Sequence, residues 1–284
     1  MVIDSMVHLA VKCPLFEPGS QSDMRRASIL LIALAMLLVS AATALANNTW
    51  NGYHWGDGAS DPHDGGISLA LVDDLDDAYG TEYAYAAVLA DWDDGPLSLS
   101  SSNALPTARP AACDNDASGD AGNAIAGKIH VCNAAYGKNG WLGLARIWLA
   151  SDGHIEAGVA LMNDSYMLES GSLYDDPNAR RHVLCQEIGH TFGLDHQGSP
   201  KKQSCMNDRW GLTDPSFVGP NQHDYDTLDE IYGSSSGDAE GGGNSKPCNP
   251  KSPKCQSGAN VHFAPRPGGG WIVTYTVPPG RGLG

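Results

Sequence analysis

Arg181-His-Val-Leu-Cys-Gln-Glu-Ile-Gly-His-Thr-Phe-Gly-Leu-Asp-His196 is the stretch from which the rest of the chain is best read. It predicts a helix with clear ends. Asp176 suits the N-cap, Pro177 the first helical position, and Gly193 the position just past the last turn. Residues four apart share a helix face and lie about 6 Å apart along the axis. Gln186 and His190 therefore face the same space. Glu187 is offset by one residue, within reach of a water at a metal's open position rather than of the metal itself. A turn at Gly193 brings His196 back as a third ligand. Catalytic zinc commonly takes three protein ligands and keeps one position open. A carboxylate beside it serves as general base. An ordinary amphipathic helix would also place Val183, Leu184, Ile188 and Phe192 in a core, but it needs neither histidine. His182 lies about 12 Å from His190 along a straight helix, too far to share one tetrahedral site. It is expected at the surface or behind the ligands.

The run Gln186-Glu-Ile-Gly-His-Thr-Phe-Gly-Leu-Asp-His196 resembles the zinc-binding helix of metzincin metallopeptidases, with Gln where that motif has its first His. Downstream, Ser204-Cys-Met206-Asn resembles the methionine turn of the superfamily. Leu228-Asp-Glu-Ile-Tyr-Gly233 resembles the closing helix of matrixin domains, and Leu89-Ala-Asp-Trp92 the helix before the first strands. Trp141–Asn163 resembles the edge-strand region that binds substrate backbone. The resemblance spans roughly residues 50–233. It implies an α+β metzincin-like domain with a twisted mixed sheet, an active-site helix and a C-terminal helix. It also implies one catalytic zinc on Gln186, His190 and His196, Glu187 as general base, and Met206 beneath the metal. The substrate would be a peptide or protein. A neutral amide is a poorer zinc ligand than imidazole, so a folded but inactive binding module stands as the alternative reading. Some metzincins add a tyrosine ligand after the methionine turn; here Asn207-Asp-Arg-Trp210 follows, without one. Gln197 stands where matrixins usually have Ser.

Working outward, strands are expected at Ile67–Val72, Leu97–Ser101, Lys128–Asn133, Trp141–Leu149 and His154–Met162. Helices are expected at Thr81–Trp92 and Asp224–Tyr232. This order is an α+β arrangement. Residues 234–245 are Gly- and Ser-rich, which reads as a linker. A small Cys248–Cys255 loop and a strand at Trp271–Val277 follow. Three segments result: 1–46, 47–233 and 234–284.

Residues 29–39 are an apolar run of eleven, preceded by Arg25 and Arg26 and followed by Ala44-Leu-Ala46. That is the pattern of a secretory signal peptide, and the run is short of the ~20 residues a membrane span needs. Met24 would be a natural start. Removing residues 1–46 takes away three basic and three acidic residues, so the net charge stays −16. Such a balance argues against nucleic acid or an anionic membrane as partner. A monomeric protein, secreted to the extracellular side and not inserted in a membrane, is expected. Six cysteines remain: Cys113, Cys132, Cys185, Cys205, Cys248 and Cys255. They allow 15 connectivities. An exported chain favours disulfides, and sequential pairing is the expectation. A Cys185–Cys205 bridge would tie the active-site helix to the methionine turn. Asp114-Asn-Asp116-Ala-Ser-Gly-Asp120 resembles the start of a calcium loop, but position twelve is Ile125 where an EF-hand has Glu. Ca2+ is a weak expectation beside a solvated acidic loop. His223 is expected to bond locally at the start of the last helix.

Overall fold

The computed structural model describes residues 48–56, 66–76, 83–103, 111–114, 126–198, 201–208, 211–233, 249, 251, 260–266 and 269–280. Residues from Asn47 onward belong to one compact unit. Residues 1–47, which hold the expected signal peptide, residues 115–125, and both Cys248 and Cys255 lie outside the described residues. Among the described residues no helix is long and apolar enough to cross a membrane.

The fold is α+β. Strands are β1 (Ile67–Asp74), β2 (Leu97–Asn103), β3 (Lys128–Ala134), β4 (Gly143–Leu149), β5 (Ile155–Asn163), β6 (Val261–Pro265) and β7 (Trp271–Val277). Helices are α1 (Tyr85–Trp92), the short α2 (Asp164–Met167), α3 (Pro177–Thr191) and α4 (Gln222–Tyr232). One seven-stranded sheet runs β2-β1-β3-β5-β4-β7-β6. The first four strands in that order pair in parallel. From β5 onward the pairings are antiparallel.

Strand alternation splits the core into two layers. From β4, Ile147 and Leu149 face α3, as do Val273, Tyr275 and Val277 of β7. Leu144 and Trp148 face the other side, with Ile272 and the Cys113–Cys132 bond. Every residue of β4 is buried. The expectation of a substrate-binding edge at Trp141–Leu149 is therefore corrected: β4 is an interior strand, hydrogen-bonded to β5 on one side and β7 on the other. The outer strand on that flank is β6, which ends on Pro265, a residue tolerated at a sheet edge because it has no N–H to pair.

Helix α3 has the ends that its sequence predicts. The Asp176 carboxylate accepts from the amides of Asn178 and Ala179, at 2.8 and 3.1 Å. Beyond its last turn Gly193 adopts φ +92°, and a Cβ there would lie 2.1 Å from the carbonyl oxygen of Tyr53. Only glycine satisfies both the left-handed conformation and the contact. The terminal carbonyls find tertiary donors. Thr191 accepts from the Trp55 indole at 2.8 Å, Phe192 from the Tyr232 hydroxyl at 2.7 Å, and Gly193 from the Trp50 amide at 2.6 Å. The segment 48–56 and the end of α4 thus close the helix end that lone sequence would leave open.

Candidate metal centre

The two histidines converge. His190 Nε2 lies 2.9 Å from His196 Nε2. Each ring is oriented by its other nitrogen. His190 Nδ1 donates to the Leu194 carbonyl at 2.8 Å, and His196 Nδ1 faces the Asp195 carboxylate at 3.2 Å. Carbonyl and carboxylate oxygens accept only, so the Nδ1 atoms carry the protons and the Nε2 atoms the lone pairs. Two lone pairs aimed at one point repel unless a proton or a metal cation lies between them. Ligands on a tetrahedral zinc with bonds of about 2.0–2.1 Å sit about 3.3 Å apart, within a few tenths of an ångström of the observed spacing. Burial, and then the neighbouring His196, hold the His190 pKa well below its usual value.

Gln186 and Glu187 lie about one turn before His190 on the same helix. Both are fully buried, and all four of their side-chain oxygen and nitrogen atoms lack a hydrogen-bond partner. Buried polar groups without partners are costly and rare. Desolvation pushes the Glu187 carboxyl well above the usual carboxylate range. A cation beside it would favour the ionised form. The Glu187 carboxylate lies against β4 at Gly143, where a Cβ would come within 2.5 Å of Oε1. Gln186, His190 and His196 supply an amide oxygen and two imidazoles, donor types that a divalent cation of zinc's type accepts, while among the described residues the Glu187 carboxylate does not form a ligand group with the two imidazoles.

The platform beneath the histidines is rigid. Met206 is fully buried, and its Sδ lies 2.6 Å from where a Gly189 Cβ would stand. Absence of that side chain lets the turn approach the helix beside His190. Cys185 and Cys205 are bonded, so the residues preceding Gln186 and Met206 are joined covalently. Cys113 and Cys132 are bonded as well. Those sulfurs lie close to Asp74, but bonded to one another they are no thiolate ligands. Ser204 Oγ donates to Asp224 at 2.5 Å and accepts from the Met206 amide at 2.9 Å. Gln197, where Ser is usual in matrixins, is fully buried; it donates to Asp224, and its amide to the Met206 carbonyl. Asp224 also closes the capping box of α4. Desolvation raises its pKa, against the lowering effect of these bonds.

One expectation about a histidine narrows and another changes. His182 is not at the surface: it is buried, and its Nε2 donates to the Asn207 carbonyl at 3.1 Å, tying α3 to the methionine turn. Burial lowers its pKa to about 4. His223 does not bond only locally; its Nε2 meets Asn48 Oδ1 at 2.9 Å, and the Asn48 amide group donates to the His196 carbonyl. The segment 48–56, an N-terminal strap on the domain, thereby holds the backbone at His196.

Tyr275 is the residue that sequence reasoning missed. Its ring lies 4.5 Å from the His190 ring and 4.4 Å from the His196 ring, centroid to centroid. The predicted strand Trp271–Val277 was the only signal, and it carries no information about its neighbour. No protein-family model matches the chain, and no curated protein is similar enough to count as a match.

Proposed function

We propose that the protein is a secreted zinc-dependent endopeptidase with a metzincin-type catalytic domain. What supports the reading most is the pair of imidazole Nε2 atoms of His190 and His196, 2.9 Å apart, together with the partnerless buried side chains of Gln186 and Glu187 about one turn before His190 on α3. Gln186 Oε1, His190 Nε2 and His196 Nε2 would hold the ion. When bound, zinc polarises a scissile carbonyl and acidifies an attacking water. Glu187 takes a proton from that water and passes it to the leaving amine. A desolvated carboxylate set apart from other acceptors is suited to that exchange. Leu194 and Asp195 keep both imidazoles in the tautomer that presents Nε2. Met206 and the Cys185–Cys205 bond hold the helix against the turn. The two buried disulfides suit an oxidising compartment outside the cytosol.

The test is zinc titration by calorimetry and hydrolysis of a mixed peptide library by residues 47–284. Each is run with zinc, with chelator, and for Glu187→Ala. The expected result is stoichiometric zinc binding and cleavage lost both on chelation and in the variant. A folded protein that binds no zinc would sink the reading. Zinc or peptide binding without cleavage would favour the second reading, a binding module, for which the neutral amide of Gln186 is the specific observation.

A further inference from the structure

The C-terminal strand lies where an incoming peptide would have to lie. β4 passes directly beside the Glu187 carboxylate at Gly143. Its outward backbone edge is filled along its whole length by β7, antiparallel, from Gly143 opposite Val277 to Leu149 opposite Trp271. Tyr275 stands opposite Ala145 on the α3 face of the sheet, and its ring covers both imidazoles. Tyr275 itself is 3% exposed, while Gln186 and Glu187 are not exposed at all. The two imidazoles are thus covered by this strand, and the Glu187 carboxylate is buried against β4. The seal is held differently from the rest of the site. Its described attachments include the β4–β7 ladder, the burial of Ile272, Val273, Tyr275 and Val277 in the core, the Arg146 Nε to Thr274 Oγ1 bond at 3.0 Å, the Arg266–Glu156 ion pair and a Gly280 amide to Tyr174 hydroxyl bond. Its outer strand β6 contributes only partly buried or exposed residues.

We infer that the β6–β7 hairpin is a built-in occupant of the peptide-binding strand position on β4, and that the site receives an extended peptide only when the hairpin leaves. The inference rests on the peptidase reading of the same site. It also names a substrate class. The occupant Trp271-Ile-Val-Thr-Tyr-Thr-Val277 is an extended β-branched segment with an aromatic opposite Ala145, and peptides of that kind are the ones β4 accepts.

The probe is a fluorescein-labelled peptide copying residues 269–279. Its binding is followed by anisotropy on the full exported chain carrying Glu187→Gln, which prevents cleavage, with and without zinc. Val273→Asp and Tyr275→Ala loosen the hairpin by charging its buried face or removing its cap. Both are expected to bind the probe at least about tenfold tighter than the parent. The amides of β4 should exchange with deuterium faster in these variants and regain protection when the probe binds. The converse variant, Arg146→Cys with Thr274→Cys, clamps an adjacent cross-strand pair. It is expected to lose probe binding and, with Glu187 restored, peptide cleavage. Equal probe affinity in parent and loosened variants overturns the inference. So does weaker binding in them with β4 exposed, since the hairpin then completes the site instead of filling it. A clamped protein that cleaves like the parent overturns it too, and this arm stands even if the loosened variants fail to fold. Failure to bind zinc in every variant strikes the peptidase reading alone, because probe binding and β4 exchange are read without metal.

Discussion

The two sides of the candidate site are built by opposite means. On one side, α3, the 193–197 turn and the methionine turn are joined by a disulfide, by buried bonds through Ser204, Asp224 and Gln197, and by glycines that nothing else can replace. On the other side, the hairpin is a pair of strands without a disulfide among the described residues, held by a ladder, by the buried side chains of Ile272, Val273, Tyr275 and Val277, and by a few partly exposed bonds. The ligand side is fixed before any ligand arrives, which reduces the ordering cost of binding. The hairpin side is attached by the same backbone groups that a peptide would use, so it is exchangeable in kind.

The largest effect should come from the chemistry itself. Glu187→Gln should lower peptide hydrolysis by roughly 10²–10⁴-fold while zinc binding persists, as expected for loss of a general base. Single-turnover cleavage with parallel zinc titration checks it, and an unchanged rate would place the base elsewhere. Next, Gly193→Ala should destabilise the ligand side by about 3 kcal/mol or more, since it forces a side chain into φ +92° and against Tyr53. Urea unfolding measures this; a loss below 1 kcal/mol would mean that the strap moves aside at little cost.

Removing the Cys185–Cys205 bond with paired serines should cost roughly 3 kcal/mol in the chain-entropy model for a separation of 20 residues. The thermal midpoint should fall accordingly, with the hairpin still protected from exchange. Simultaneous loss of hairpin protection would show that the two sides are not independent. In metal-free protein, pH acts on the same side. His182 has a folded pKa of about 4, below the ordinary 6.5. Between these values the unfolded chain binds a proton that the folded chain refuses, so stability rises with pH across this window. Going from pH 7 to pH 4 should remove on the order of 3 kcal/mol at this group. Melts of the parent and His182→Gln check it, and identical pH slopes would assign the effect to other groups. The smallest effect belongs to the hairpin: Thr274→Val removes one bond to Arg146 and should cost about 1 kcal/mol. It should appear as faster β4 exchange with little change in the global melt.

Legibility in the sequence followed range of interaction. The N-cap Asp176, Pro177 and the φ of Gly193 are local, and the helix begins and ends where those residues dictate. The strand Trp271–Val277 was legible as an element. β6 was not: Val-His-Phe-Ala-Pro is short, only partly buried and barely alternating, so it has little periodic signal. Helical spacing gives His182 a face without saying what covers it, so the sequence alone does not choose between the surface and a place behind the ligands. Gln197 and Asn48 gave no signal, since their roles arise only where the methionine turn, α4 and the N-terminal strap meet.

By itself, then, the sequence determined the helix, the spacing of Gln186, Glu187, His190 and His196, and a cysteine count that invited pairing. These depend on the 3.6-residue period and on caps within a few residues. Only the tertiary structure decided that β4 is an interior strand, that both Nε2 lone pairs meet at 2.9 Å, and that Tyr275 closes over them. The reason is physical: strand alternation tells a residue which face it takes, but the neighbour across the ladder is chosen by packing among segments more than a hundred residues apart.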